Sequence, residues 1–197
     1  MIEKTLSILI PTTPDREKVL YELLYSLHLQ IEVGKFQPFV EIRIEPDDGK
    51  LSVGKKRQML LEKAKGKYVV SIDSDDEVSK DYTPSILEAI EKDKPDVIGF
   101  SGFMTTNGAN RENFKISKDL PYITIQDTFG NKEHLRFNNH LSPIRKDIAL
   151  KIGFKDMVFG EDYDYAKRLK ESGLIKTETY INKDLYHYKY ISNKKVQ

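Results

Sequence analysis

The sequence contains no cysteine, and none of its apolar runs approaches the roughly 20 residues that a membrane-spanning helix needs. The absence of cysteine excludes disulfide bonds and thiolate chemistry, and it fits a reducing compartment. A charge excess is missing as well, because 32 basic side chains stand against 31 acidic ones. The net charge therefore does not indicate a polyanionic partner. Repeats and low-complexity tracts are absent too, and we expect a soluble, cytoplasmic protein without a transmembrane segment.

The 197-residue chain is long enough for one domain with its own core. Apolar patterning and turn residues predict strands at 6–10, 39–44, 68–72 and 97–100, with helices between them. Short strands are predicted at 122–125, 135–137, 179–181 and 185–190, and helices at 146–152 and 161–172. We therefore expect a single α/β domain over 1–197. Its half 1–105 has a mostly parallel, doubly wound sheet, and 106–197 adds a smaller mixed or antiparallel region.

Four carboxylates follow the third predicted strand within five residues: Asp73, Asp75, Asp76 and Glu77. The strand is apolar enough to be covered on both faces, so this cluster should lie past its carboxyl end, where open α/β sheets bind ligands. Carboxylates this close repel one another unless a cation neutralises them. Mg²⁺ and Mn²⁺ take oxygen ligands from one or two carboxylates and from phosphates. The pattern predicts a metal-bound phosphate substrate, with an acidic surface turn as the alternative.

Five short motifs, in this order, resemble those of the family 2 glycosyltransferases. They are Ser-Ile-Leu-Ile-Pro-Thr at 7–12, Asp-Asp-Gly at 47–49, Gly-Lys-Lys-Arg at 54–57, the aspartate cluster, and Gly-Glu-Asp-Tyr-Asp at 160–164. The resemblance covers nearly the whole chain. It implies the GT-A fold, with a Rossmann-like nucleotide-binding half and an acceptor-side half. It also implies inverting transfer of a sugar from a nucleotide-sugar donor, preferentially a UDP-sugar, to an acceptor hydroxyl.

The same resemblance assigns the donor-binding residues. It implies that Asp73-Ser74-Asp75 is the family's Asp-x-Asp motif, with Asp75 as a ligand of Mn²⁺ or Mg²⁺ and Asp73 contacting the metal or the ribose. The nucleotide-sugar is further assigned to Ser74, Pro11, Thr12, Arg16, Arg57 and one of Glu45 or Asp47. His187 resembles a late histidine that serves as a further metal or diphosphate ligand. An ordinary strand histidine is the equally weighted alternative.

The acceptor side is assigned to Glu161 and Asp162, which start a predicted helix after Phe159-Gly160. The resemblance implies that this segment carries the catalytic base. We expect Asp162 to take the proton of the acceptor hydroxyl and Glu161 to position the acceptor. Acids in a first helical turn also favour the helix dipole without any catalytic role. His140 is placed on the acceptor side, with a structural hydrogen bond as the alternative.

Other functions are weighed against this one. A nucleotidyltransferase with a related sheet would carry a glycine-rich signature after the first strand, and the residues 11–14 contain none. A non-catalytic nucleotide-sugar-binding module is disfavoured because both candidate acids, Glu161 and Asp162, are present. The basic clusters at 55–57 and 194–195 are small for a nucleic-acid surface. The acceptor is thus a saccharide, a lipid-linked saccharide, a protein or a modified nucleic-acid base, and the sequence does not choose among them or fix the oligomeric state.

Overall fold

The structure is a computed structural model that describes residues 3–192, in which helices cover both faces of a ten-stranded sheet. The strands are β1 Leu6–Thr12, β2 Val40–Pro46, β3 Tyr68–Ser71, β4 Glu77–Val78, β5 Val97–Thr106, β6 Ala109–Ile116, β7 Ile123–Gln126, β8 Lys132–Arg136, β9 Ile144–Arg145 and β10 Glu178–Tyr190. The helices are α1 Glu17–Val33, α2 Val53–Lys63, α3 Tyr82–Asp93, α4 Lys146–Ile152 and α5 Glu161–Ser172. Within the described residues, no helix is both long and apolar enough to cross a bilayer.

The sheet has a parallel centre and a mixed flank. β1 lies between β2 and β3, and both pairs are parallel. β9 is antiparallel to β3 and to β5, so β5 runs in the same direction as the first three strands. β10 is parallel to β5, whereas β6 is antiparallel to β5 and parallel to β8, which pairs with β7 as a hairpin. The predicted fold class, a mostly parallel half followed by a small mixed region, is confirmed.

The core has one part on each face of the sheet, because successive residues of a strand point to opposite sides. On one face, Ile8 packs in a cluster with α1 and α3, which contribute Leu27 and Ile86 among others. On the other face, Leu9 belongs to a cluster that includes Leu60 of α2 and Leu169 of α5. The sheet is therefore held between two helical layers, and its carboxyl edge stays open for a site.

Local signals predicted several helix boundaries well. α4 and α5 span the residues predicted for them, and each is followed by a glycine with positive φ, Gly153 and Gly173. Ser52 is a residue type that favours helix starts, and it caps α2, since its Oγ accepts a hydrogen bond of 3.0 Å from the Lys55 amide. The sequence Thr13-Pro14-Asp15 also favours a helix start, but Thr13 makes no side-chain cap, Pro14 opens a short 3₁₀ turn, and α1 itself begins at Glu17.

The strands of the second half were harder to predict. β6 was missed because only Phe114 and Ile116 of its eight residues are buried, which leaves little apolar alternation. β10 is one strand of 13 residues, although two separate segments were predicted at its ends. Its register shifts around Asp184 let the polar stretch between those segments stay in the strand. Between β5 and β6 the chain turns at Asn107-Gly108, a residue pair typical of tight turns, with φ of 51° and 77°.

Candidate active site

The carboxyl ends of the central strands bring the predicted acids to one edge of the sheet. Thr12 at the end of β1 is opposite Pro46 at the end of β2, and Leu9 is opposite Ser71 at the end of β3. In the chain, Asp47 directly follows the end of β2, and Asp73 follows the end of β3 after Ile72. This is the edge at which open α/β sheets bind ligands.

A buried arginine joins the two groups of acids. Arg57 of α2 is 3% exposed, and its guanidinium donates to Asp73 Oδ1 at 2.8 Å, to Glu161 Oε1 at 3.1 Å and to Ser71 Oγ at 2.6 Å. Burial by itself lowers the pKa of an arginine, but the charges of Asp73 and Glu161 raise the pKa of Arg57 above its ordinary value. The planar, five-donor fork of arginine suits three acceptors at once. The acids predicted for the donor side and for the acceptor side, Asp73 and Glu161, therefore share one cation.

The neighbouring carboxyl groups of the aspartate cluster have different environments. Burial opposes ionisation of Asp73, yet the charge of Arg57 holds the pKa of Asp73 well below its usual range. Asp75, with a side chain 18% exposed, accepts a bond of 3.0 Å from Arg16 Nη1. Burial and the charge of Asp73 raise the pKa of Asp76 well above its ordinary value. Within this cluster, Asp73 is therefore stabilised in its charged form and Asp76 in its protonated form.

Both carboxylate oxygens of Asp76 accept hydrogen bonds from β10. The Tyr186 hydroxyl donates to its Oδ2 at 2.7 Å, and the Lys189 amide donates to its Oδ1 at 2.8 Å. Glu77 lies next to it and binds Lys189 Nζ at 2.8 Å. These contacts attach β10 to the loop that follows β3. Asp76 and Glu77 therefore fix the cluster to the sheet, while Asp73 and Asp75 lie where a ligand can reach them.

Two buried polar side chains next to Asp73 lack partners. The Ser74 Oγ and both ring nitrogens of His140 have no hydrogen-bond partner among residues 3–192. His140 Nε2 lies 3.6 Å from Asp73 Oδ2, which is too long for a hydrogen bond. Unpaired buried polar atoms cost about 1–3 kcal/mol each, so such atoms point to a bound ligand or water. His140, predicted for the acceptor side, lies next to the donor acid Asp73.

Lysine side chains contact the remaining acids that were predicted to bind the nucleotide, at the ends of β1 and β2. Asp47 is held by Lys56 Nζ at 2.8 Å and by the Leu51 amide at 2.6 Å, and the bond from Lys56 lowers the pKa of Asp47. Lys56 also donates to the Thr12 carbonyl at 3.0 Å. Glu45, opposite Pro11 in the β1–β2 register, pairs instead with Lys63 at 2.8 Å. Lys56 thus joins the ends of β1 and β2, and the choice between Glu45 and Asp47 stays open.

His187 is engaged on both ring nitrogens. Its Nδ1 lies 3.1 Å from Glu77 Oε2, its Nε2 lies 2.8 Å from Thr105 Oγ1, and its ring stacks on Phe103 at 4.4 Å. Binding a metal through either nitrogen would require replacing one of these contacts. The geometry agrees with the alternative of a strand histidine, and the ligand role of His187 stays a prediction.

Two tyrosines of β10 were not predicted as site residues. Tyr186 bonds Asp76, and Tyr188 is two residues further along the strand, on the same face. Burial, together with the charges of Asp76, Asp73, Asp75 and Asp162, raises the pKa of Tyr188 to about 12. The phenol therefore stays protonated at neutral pH and can donate a hydrogen bond. The alternation of tyrosines at 186, 188 and 190 in the sequence was the signal that could have found them.

The candidate base residues start α5. Gly160 has a φ of 79°, a conformation that glycine adopts without strain, and it turns the chain into the helix. Glu161 is buried against Arg57. Asp162 is half-buried, and its charge contributes to raising the pKa values of Arg57 and Tyr188. Asp162 is therefore the more accessible of the two acids, and Glu161 is the one held in place.

The residues at the sheet edge fit a divalent cation only with help from a substrate. Among residues 3–192, no group of three or more His, Cys, Asp or Glu side chains is placed to hold a metal. Asp73 and Asp75 provide two carboxylates, which is the number that Mg²⁺ usually takes from a protein when substrate phosphates and water complete its shell. The unpaired Ser74 hydroxyl lies between them in the chain. The donor set is chemically suitable for Mg²⁺ or Mn²⁺ bound together with a diphosphate.

Comparison with solved structures shows the same fold. The structure of S. aureus TarS 1–349 in complex with UDP-GlcNAc matches 94% of this chain with a TM-score of 0.65 and 17% sequence identity. The TarS 1–349 complex with UDP matches the same share with a TM-score of 0.62 and 18% identity. This chain spans 58% and 60% of the length of those two chains.

Sequence comparison gives the family. A curated Arcobacter nitrofigilis protein, named "Probable glycerophosphodiester phosphodiesterase GpdQ", is 32% identical over 109 residues, which are 47% of this chain and 38% of that protein. The sequence model of Glycosyl transferase family 2 matches residues 35–153, more than half of the chain. That range contains the aspartate cluster, Arg57 and His140. The chain therefore belongs to glycosyl transferase family 2.

Proposed function

We propose that the protein is a metal-dependent, inverting glycosyltransferase that moves a sugar from a UDP-sugar to an acceptor hydroxyl. The observation that carries this proposal is the buried guanidinium of Arg57, which binds Asp73 and Glu161 together at the carboxyl edge of the sheet. One cation thereby fixes the distance between a donor-binding acid and the acids at the start of α5. Family membership supports the proposal, and so do the UDP and UDP-GlcNAc complexes of TarS, a protein of the same fold.

On the donor side, Asp73 and Asp75 would hold Mn²⁺ or Mg²⁺ beside the diphosphate of the donor. When bound, the ion stabilises the negative charge that develops on the leaving diphosphate. Arg57 keeps Asp73 ionised, so the carboxylate is ready for this role at neutral pH.

On the acceptor side, Asp162 accepts the proton of the acceptor hydroxyl. The hydroxyl oxygen forms a bond to the anomeric carbon as the bond from that carbon to the diphosphate oxygen breaks, and the diphosphate leaves with the electron pair. Attack from the face opposite the leaving group inverts the configuration. Glu161, bound by Arg57 at 3.1 Å, holds the start of α5 in place for this step.

Other activities have less support. The phosphodiesterase name belongs to a relative that shares 38% of its length with this chain. Two-metal phosphoester hydrolysis uses a cluster of protein ligands around paired ions, and residues 3–192 hold no such group of three. A binding module without catalysis would not need an accessible acid beside the buried pair, and Asp162 is a half-buried acid close to Arg57.

The proposal is tested by measuring UDP release from a panel of UDP-sugars, with and without Mn²⁺ or Mg²⁺. Asp162→Asn keeps the size of the side chain but cannot take a proton, so transfer should fall by roughly 10²–10⁴-fold while UDP binding by calorimetry is kept. Glu161→Gln should mainly raise the acceptor KM. Asp164→Asn is the matched control, because Asp164 in the same helical turn binds Lys155 and Arg168 instead.

Donor binding is examined separately with Asp75→Ala, which should abolish turnover without changing the far-UV circular dichroism spectrum. Asp81→Ala, at an exposed carboxylate before α3, is its control. Full activity in EDTA would rule out the metal, and clearly tighter binding of GDP or a cytidine nucleotide than of UDP would rule out the UDP preference. If neither Asp162→Asn nor Glu161→Gln changed transfer, the catalytic base would be another residue, whereas UDP binding by the parent protein without any transfer would make the protein a binding module.

A further inference from the structure

Three aromatic rings form a continuous, half-exposed surface beside the start of α5. We call Tyr122, Phe137 and Tyr163 the aromatic shelf. The centroid of the Tyr122 ring lies 5.3 Å from that of Phe137 and 5.0 Å from that of Tyr163. Tyr122 and Tyr163 are 43% and 47% exposed. Aromatic rings are costly to leave in water, so a preformed group of them at a site indicates a ligand with an apolar face.

The shelf is held in shape by its surroundings. The Arg136 guanidinium lies 4.3 Å from the centroid of the Tyr122 ring and covers one of its faces. The same guanidinium donates to the Ile123 carbonyl at 2.7 Å and to the Leu135 carbonyl at 2.9 Å. The guanidinium is therefore already engaged by two carbonyl groups and by the Tyr122 ring, and it holds that ring in place. Rings positioned in this way lose little freedom when a ligand binds, which favours affinity.

The shelf connects to both halves of the candidate site. Tyr163 follows Asp162 directly in α5. Phe137 lies three residues before His140, whose Nε2 is 3.6 Å from Asp73. The shelf thus adjoins the proposed base through Tyr163 and the segment next to Asp73 through the residues 137–140. This is the position that an acceptor has to occupy.

We propose that the aromatic shelf is the acceptor subsite and that the acceptor is a saccharide, an inference that rests on the proposed function. A pyranose ring has an apolar C–H face and a rim of hydroxyl groups. The face can stack on Tyr163 and Tyr122, while one hydroxyl reaches Asp162. A nucleic acid would need cations along its backbone, whereas the guanidinium that lies over the shelf, that of Arg136, is already bound to carbonyls and to Tyr122.

The test uses the full chain with neutral probe saccharides, namely cellotetraose, maltotetraose and an N-acetylglucosamine tetramer. Saturation-transfer NMR should show contact to the C–H face protons of at least one probe. Calorimetry should give a Kd for that probe that rises about 10-fold in Tyr163→Ala, the range for losing one stacked ring. Tyr163→Phe keeps the ring and should restore most of the affinity. Tyr21→Ala is the matched control, because Tyr21 on α1 is 70% exposed and belongs to no ring contact with the shelf among the described residues.

The outcomes separate this inference from the proposed function. UDP binding without binding of any saccharide probe would overturn the saccharide acceptor and leave the transferase proposal standing. Saccharide binding that depends on Tyr163, without binding of UDP, would support the shelf and overturn the transferase proposal. A probe that binds Tyr163→Ala as tightly as the parent protein would place the acceptor elsewhere. Binding of an apolar peptide in preference to every saccharide would also refute the inference.

Discussion

Arg57 is the residue on which the geometry of the candidate site depends most. A buried cation loses its hydration, and this loss is offset only when its partners supply charge and hydrogen bonds. Arg57 has three such partners on three elements: Ser71 of β3, Asp73 after it, and Glu161 of α5. Any substitution that removes the guanidinium leaves two carboxylates close together and without a counter-charge.

We expect Arg57→Met to lower the free energy of unfolding by about 3–5 kcal/mol, the range for removing one partner of a buried ion pair. Urea unfolding followed by circular dichroism measures the change. The control is Arg43→Met, since Arg43 pairs with Glu41 at 3.7 Å near the surface and should contribute at most about 1 kcal/mol. Equal losses in both variants would show that Asp73 and Glu161 do not depend on Arg57.

At the scale of elements, the predictable parts of the fold were those specified by local signals. α4 and α5 end at glycines that adopt positive φ, and α2 begins at a serine that caps it, so nearby residues determine these boundaries. β6 and β10 depend on partners far away in the chain. β10 keeps its pairing with β5 across a polar stretch only because the rest of the sheet supports it.

The candidate site likewise has parts that local motifs predict and parts that depend on contacts between distant segments. Asp73 and the acids at 161–162 were predicted from motifs because their residue types and spacing are local. The bond between Arg57 and Glu161 was not predicted, since it arises when α2 and α5 pack on the same face of the sheet. Tyr188 and the aromatic shelf were missed for the same reason. Their neighbours are set by strand pairing and ring packing rather than by the sequence around them.

Gly54 lets two elements of the site approach closely. It lies in the first turn of α2, and its amide donates to the Met157 carbonyl at 3.2 Å. A Cβ atom at this position would overlap the carbonyl oxygen of Lys155. The loop 154–160 leads directly into Glu161 and Asp162. The absence of a side chain at Gly54 therefore helps to set the position of the candidate base.

We expect Gly54→Ala to destabilise the protein by about 1–3 kcal/mol, the usual cost of overpacking, even though alanine favours a helix by up to 1 kcal/mol over glycine. Transfer should fall as well, because the loop before Asp162 has to move. Thermal unfolding and UDP release measure the two effects. Lys55→Ala, at the exposed neighbouring position, is the control for helix propensity. A more stable Gly54→Ala protein would mean that the loop moves away without cost.

At the scale of the whole molecule, one carboxylate ties the two halves together at the edge of the sheet opposite the candidate site. Asp96, just before β5, accepts a bond of 3.1 Å from Nη1 of Arg145, the last residue of β9. Its other oxygen accepts bonds from the amides of Lys176 at 2.7 Å and Thr177 at 2.9 Å, ahead of β10. These contacts join the first half of the chain to two separate segments of the second.

This junction predicts a specific pH dependence of stability. Burial opposes ionisation of Asp96, but the bonds from the Thr177 and Lys176 amides and from Arg145 hold the pKa of Asp96 below its ordinary value of 3.8. A carboxylate with a lowered pKa in the folded state stabilises the protein above the pKa of the unfolded state, and this contribution is lost as pH falls through the folded pKa. The stabilisation should therefore be fully present at neutral pH and decrease below about pH 4.

We expect Asp96→Asn to lower the free energy of unfolding by about 1.5–3 kcal/mol at pH 7, the range for hydrogen bonds to a charged group. The difference from the parent protein should shrink as pH falls below about 4, because the parent loses the same charge there. Urea unfolding from pH 7 to pH 3 measures both curves. Asp119→Asn is the control, since Asp119 is exposed and pairs only with Lys118 in the described contacts, so its curve should follow that of the parent. A gap between the parent and Asp96→Asn that stayed constant across this range would show that the charge of Asp96 does not hold the two halves together.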